Sequence, residues 1–126
     1  MLLLKTGATV YWGQTKQATF LMNQSDEPKI RFFSDNLRSR LGDDLRQLIL
    51  FGSRARGDSR EGSDYDFVVI LKEKNRRAVE RVRDTEVDFL NRFDELSASL
   101  IYDEAEWNRR KRLPIGVNIE REGIRL

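Results

Sequence analysis

The chain contains no cysteine, no histidine and only two prolines in 126 residues. Without cysteine there are no disulfides and no thiolate metal sites. Without histidine the commonest general base is missing, and with it zinc–imidazole coordination and every Ser-His-Asp triad. Any chemistry must therefore run on carboxylates, hydroxyls, lysine and arginine. No apolar run approaches the roughly 20 residues of a membrane span. Leu2-Leu3-Leu4 is too short for a signal-peptide core, so a cytoplasmic protein without a membrane partner is expected. A dominant charge sign is also lacking: 23 basic residues face 21 acidic ones, for a net +2. That is not the profile of a dedicated nucleic-acid binder, and nucleic acid is not the favoured partner. What remains is a chain of single-domain length, 39% hydrophobic and 35% charged, with the balance of a globular protein.

The most informative stretch is Gly52-Ser53, ten further residues, then Asp64-Tyr65-Asp66. An apolar run precedes it (Leu48-Ile49-Leu50-Phe51) and another follows it (Phe67-Val68-Val69-Ile70-Leu71). Both are short, β-prone and bounded by Gly, Ser and Asp, so they read as neighbouring buried strands. Alternation along a strand points Asp64 and Asp66 to one side, roughly 6.5 Å apart along the chain, and sends Tyr65 to the opposite, core side. Two such carboxylates can hold a hard divalent cation such as Mg2+. The Gly-Ser turn offers free backbone N–H groups and a hydroxyl at the start of a short helix, an arrangement that attracts phosphate. A phosphate cradle beside metal carboxylates is a phosphoryl-transfer site.

This pattern resembles the signature of the DNA-polymerase-β-like nucleotidyltransferase superfamily. The wording LILFGSRARGDSREGSDYDFVVI and the chain's size resemble its minimal nucleotidyltransferase (MNT) domains, as found in antitoxins of the HEPN/MNT toxin–antitoxin type. The resemblance implies an α/β (α+β) fold, a short mixed sheet packed with helices. It implies that Asp64 and Asp66 are the catalytic, metal-ligating pair, holding two Mg2+ ions against the triphosphate of a bound nucleotide, with ATP as donor. Gly52 and Ser53 would hold the terminal phosphates, where a Cβ on Gly52 would obstruct close approach. Arg54 and Arg56 flank the cradle as further phosphate contacts. Gly57 ends the short helix, and Asp58, Arg60 and Glu61 read as a solvated loop.

Around the motif, residues 1–27 form an N-terminal extension, with a possible β-hairpin from residues 8–12 and 18–22, and residues 28–126 form the nucleotidyltransferase domain. Residues 28–41 look helical, with Ile30, Phe33, Leu37 and Leu41 at helical spacing and Gly42 as the stop. Residues 46–51 and 64–72 are the first two core strands, with a turn of helix at 53–57. Residues 75–94 read as a helix burying Val79, Val82, Phe89, Leu90 and Phe93, a stripe that Glu86 interrupts. Residues 97–102 are the third strand. Asp103 with Glu106 makes a capping box for a short helix through Trp107, and a last helix near 115–122 ends at Gly123. The run from Asn108 to Leu113 is the densest basic cluster and reads as a solvated face or an electrostatic patch.

Related enzymes place a third carboxylate on the next core strand. Here that strand offers Ser97, Ala98 or Ser99, none of them an acid, and alignment favours Ala98. Asp94, Glu95 and Asp103 lie just outside it. Two expectations follow. The first is transfer of a nucleoside monophosphate, AMP from ATP, to a hydroxyl acceptor, a tyrosine of a HEPN-type toxin partner. The second is a catalytically degenerate nucleotide-binding antitoxin or regulatory module that acts by contact.

Overall fold

The computed structural model describes residues 24–126, and the possible hairpin of residues 8–22 lies outside them. A 3-10 turn at Gln24–Asp26 leads into α1 (Glu27–Leu41), and a second turn at Gly42–Asp44 leads into β1 (Leu45–Phe51). There follow α2 (Gly52–Arg56), β2 (Tyr65–Leu71), α3 (Arg76–Phe93) and β3 (Ser97–Asp103). The chain closes with α4 (Glu104–Arg110), α5 (Pro114–Glu122) and the two-residue β4 (Ile124–Arg125). The result is a mixed α+β fold.

The sheet runs β3-β2-β1-β4. β1 pairs antiparallel with both β2 and β4, whereas β2 and β3 are parallel and joined through α3. β2 is buried on both faces, which explains its unbroken Phe67–Leu71 run in place of alternation. On one face Leu48, Leu50, Phe67 and Val69 pack beneath α1 and α3. Phe33 of α1 stacks on Phe67 with ring centroids 4.0 Å apart, and Phe89 of α3 meets Tyr65 edge-on at 5.1 Å. The other face carries a smaller cluster in which Ile49, Val68 and Ile70 meet Trp107 of α4 and Ile119 of α5. Helices on both sides of the sheet thus leave one end of β1 and β2 accessible, and the Gly52–Asp66 motif sits there.

Local chemistry sets the boundaries. Asn75 caps α3 by accepting from the Ala78 N–H at 2.9 Å, and Asp103 caps α4 by accepting from the Glu106 N–H at 2.7 Å. The buried stripe of α3 is Ala78, Val82, Thr85 and Phe89, a 4-3-4 spacing. Leu90, expected inside, is 40% exposed: it lies one residue, about 100° of helix rotation, beyond Phe89 and off that stripe. Thr85 takes its place inside by donating its hydroxyl to the Arg81 carbonyl and accepting from Arg40.

The second departure is at the C-terminus, where β4 adds a fourth strand beside β1. Two residues carry no legible period. Gly123 ends α5 for a reason other than a left-handed cap: its φ is −73°, and a Cβ there would come within 2.6 Å of the Ile49 side chain and 2.5 Å of the Ile119 carbonyl. Glycine is required by space, because the chain must pass close to β1 to pair with it. Among the described residues no helix is long and apolar enough to cross a membrane.

Candidate nucleotide and metal site

The site is assembled where β1 leaves the sheet. Phe51 pairs with Asp66, so the next residue, Gly52, is brought directly against the start of β2. Gly52 has φ +74°, a left-handed conformation that side chains disfavour. A Cβ on it would lie 2.5 Å from Oδ2 of Asp66. Glycine is therefore needed here for two reasons, and the group a side chain would strike first is the carboxylate itself. From this turn α2 rises for five residues, its Ala55 buried. The backbone N–H groups of Gly57 and Asp58 close back on the Ser53 carbonyl at 2.9 and 3.2 Å. Ser53 is half-buried and its hydroxyl has no partner among the described residues.

The loop after Gly57 returns the chain to Asp64, which is exposed, and Asp66, which is half-buried. Tyr65 between them is fully buried on the α1/α3 face. Burial pushes the Asp66 carboxyl above its ordinary value, the neighbouring Asp64 charge pushes it the same way, and the Arg56 charge opposes both. Neither carboxylate accepts a hydrogen bond or an ion pair from a described residue. A self-repelling pair of carboxylates, one exposed and one half-buried, with no ion pair to a described residue and only the charge of Arg56 nearby, is an oxygen donor set that suits Mg2+. No group of three or more carboxylates gathers among the described residues. Two protein carboxylates are nonetheless sufficient for Mg2+, which commonly completes its shell with substrate phosphate and water.

The sequence pattern of the nucleotidyltransferase domain matches residues 30–123, three quarters of the chain and all of the elements just described except the first turn, the first three residues of α1 and the last strand. This chain belongs to the nucleotidyltransferase domain family. A curated protein of Methanocaldococcus jannaschii, whose name proposes a protein adenylyltransferase, is 41% identical over 64 residues. That match covers 48% of this chain and 44% of the relative, so the chain spans less than half the length of that protein. A crystal structure from Sulfolobus solfataricus, described as a candidate nucleotidyltransferase, is similar at 25% identity with a TM-score of 0.39, covering 77% of this chain and 83% of that one. At that score the likeness carries no weight here; the topology and the family match do.

Within this nucleotidyltransferase domain, Gly52, Ser53, Asp64 and Asp66 converge on one end of the sheet. The two arginines behave differently. Arg56 stays at the rim, bonded to Asp58 at 3.2 Å and Glu122 at 3.5 Å, with its charge felt at Asp66. Arg54, expected beside the phosphates, is instead turned inward and only 7% exposed. Its neighbours, the half-buried Ser53 and the buried Ala55, gave no sign of this; the cause is two acids distant in sequence, Asp26 and Glu95. Sequence reasoning missed Asp26, which fell in the segment assigned to the N-terminal extension, and considered Glu95 only as a stray third acid.

The third strand settles which side chain faces the pair. In the parallel β2–β3 register, Asp66 pairs with Ala98, while Ser97 and Ser99 pair with Tyr65 and Phe67 on the core side. Ala98 is exposed and Ser99 is buried. Two of the nearby acids are committed elsewhere: Glu95 pairs with Lys29 and Arg54, and Asp103 caps α4 at the far end of the strand; the exposed Asp94 ends α3 in a left-handed conformation. The basic run after Trp107 ends α4 and forms the turn into α5, fully solvated apart from Arg110, which lies over the Tyr102 ring at 5.9 Å.

Proposed function

We propose that this domain binds ATP with Mg2+ and transfers AMP to a hydroxyl acceptor, a tyrosine on a HEPN-type toxin partner in the cytoplasm. The observation that carries the reading is the close approach of Gly52 to Asp66 in a chain of the nucleotidyltransferase family. The backbone N–H groups at the start of α2, and the Ser53 hydroxyl, which has no partner among the described residues, would face the same ligand as the two aspartates. Asp64 and Asp66 would hold the metal, which when bound lowers the pKa of a coordinated oxygen and screens phosphate charge. Gly52 and Ser53 would hold the terminal phosphates, and Arg56 would add positive charge at the rim. These groups orient the triphosphate and stabilise the charge that develops as pyrophosphate leaves. The curated relative's name supports adenylyl transfer to protein as the direction of the chemistry.

A second reading has its own observation. Ala98 stands where a third acid would stand beside Asp66, so among the described residues β3 offers no carboxylate there to take the acceptor's proton. On this reading the domain is a nucleotide-binding antitoxin or regulatory module that acts by contact. Incubation with labelled ATP and Mg2+ in the presence of a HEPN-type partner protein separates the two. Label on the partner supports transfer. Metal-dependent ATP binding without label supports the module. Equal ATP affinity in Mg2+ and in excess chelator refutes both.

A further inference from the structure

Arg54 makes more hydrogen bonds than any other side chain of the motif, all through its two terminal nitrogens, while its buried Nε has no partner among the described residues. One guanidinium nitrogen donates to both carboxylate oxygens of Asp26 at 3.2 and 3.4 Å and to the Ser59 hydroxyl at 3.2 Å. The other donates to the Ser63 carbonyl at 2.9 Å and to Glu95 at 3.2 Å. The guanidinium plane lies over the Tyr65 ring at 4.3 Å, and the Tyr65 hydroxyl donates to the same Asp26 at 2.8 Å. Glu95 is held in turn by Lys29. One side chain therefore ties together the segment before α1, the loop before β2 and the turn that joins α3 to β3.

Its placement in sequence is what matters. Arg54 follows Ser53 directly, and its anchors Ser63 and Tyr65 flank Asp64. A planar fork thus joins the cradle to the carboxylate strand from the core side, where Tyr65 points, opposite to the side of Asp66. Stability alone is a poor reason for this arrangement. A buried ion pair costs its desolvation, and replacing such pairs by apolar groups is often neutral. A planar fork with five donors can fix three segments at once, which a lysine ammonium cannot.

We propose that Arg54 is a positioning residue that sets Gly52 and Ser53 against Asp64 and Asp66, so that metal and nucleotide bind as one coupled event. The inference rests on the nucleotide-binding reading above, and it concerns the coupling between the two ligands rather than the affinity for either alone.

The test uses the full chain and measures ATP affinity by calorimetry with and without Mg2+, together with binding of Mn2+ alone read by electron paramagnetic resonance. Arg54→Lys and Arg54→Met are compared with wild type, with circular dichroism confirming the fold. The expected result is that Mn2+ alone and metal-free ATP bind about as in wild type, because the carboxylates and cradle are chemically intact. The enhancement of ATP binding by Mg2+ should fall by about tenfold or more, within the roughly 5- to 150-fold span of such couplings. If both variants fold and keep the wild-type enhancement, the proposal is overturned. Should Arg54→Met fail to fold, Arg54→Lys decides, and if neither folds, the role is structural and the proposal fails. A wild-type chain without any Mg2+ enhancement would refute the nucleotide-binding reading itself, a separate outcome.

Discussion

Replacing Gly52 by alanine strains the site in two distinguishable ways, and a second glycine provides the control. At φ +74° an alanine costs about 1–2 kcal/mol for its left-handed backbone. Gly62, in the loop before Asp64, has φ +87° and nothing within 4 Å of an added Cβ, so Gly62→Ala carries the same backbone cost and no collision. Both variants should therefore melt lower than wild type by similar amounts. Taking a value between those typical of smaller and larger domains, about 3–6 °C per kcal/mol, each should lose roughly 3–12 °C. Only in Gly52→Ala must the Asp66 carboxylate move, since its Oδ2 lies 2.5 Å from the new Cβ. A carboxylate is the end of a flexible side chain, so this movement adds little to the stability loss but takes one of the two metal ligands out of place. ATP affinity in Mg2+, read by calorimetry, should drop by about tenfold or more in Gly52→Ala, or at least about 1.4 kcal/mol, and stay near wild type in Gly62→Ala. Equal ATP affinity for the two variants would show that the close approach of Gly52 to Asp66 plays no part in binding.

Three further outcomes are expected. Asp64→Asn with Asp66→Asn should abolish Mg2+-dependent ATP binding and leave the metal-free melting temperature level or higher, since burial and mutual repulsion outweigh the Arg56 charge and neither carboxylate is ion-paired to a described residue; a marked drop in a thermal scan would make the pair structural. The pH dependence of that comparison has a definite sign: the folded Asp66 carboxyl is raised above 3.8, so the native state holds its proton more tightly and loses stability as pH rises through the raised value. The advantage of Asp66→Asn over wild type should thus be present at neutral pH and vanish below about pH 4, and melting curves that show the reverse order would refute the burial argument. Ala98→Asp, beside Asp66, should raise adenylyl transfer to the partner by roughly 10²–10⁴-fold if a positioned base is what is missing. Ser99→Asp, one residue on and 9% exposed, should only lower the melting temperature; a rate gain at Ser99 instead of Ala98 would mean the strand register is misassigned.

The motif was legible because its signals are local. Asp64 and Asp66 alternate with Tyr65 about a strand period, Gly52-Ser53 sits at a strand end, and Asn75 and Asp103 are short polar side chains that reach N–H groups three residues on. Leu90 was misplaced because a hydrophobic residue one step from a stripe looks the same, in sequence, as one on it. The helix chooses between them only by rotation against the sheet, and it placed Thr85 inside because Arg40 of α1 arrived to bond it. β4 was missed because a strand of two residues has no period and exists only through its partner β1.

The amino-acid sequence by itself determined the class of chemistry available, with no thiol and no imidazole, the order of the main elements and the convergence of a Gly-Ser turn with two aspartates. Those depend on composition, on periods of two and 3.6, and on turns that a few neighbouring residues specify. Only the tertiary structure decided the rest. The parallel register of β2 and β3 put Ala98 rather than a serine beside Asp66. Asp26 and Glu95, 28 and 41 residues from Arg54, drew that arginine inward, away from the phosphate side where its position in the motif had pointed. A side chain's partner is chosen by charge and desolvation among whatever the fold brings near. Nothing in the spacing of residues 52–66 encodes acids that arrive from two other segments of the chain.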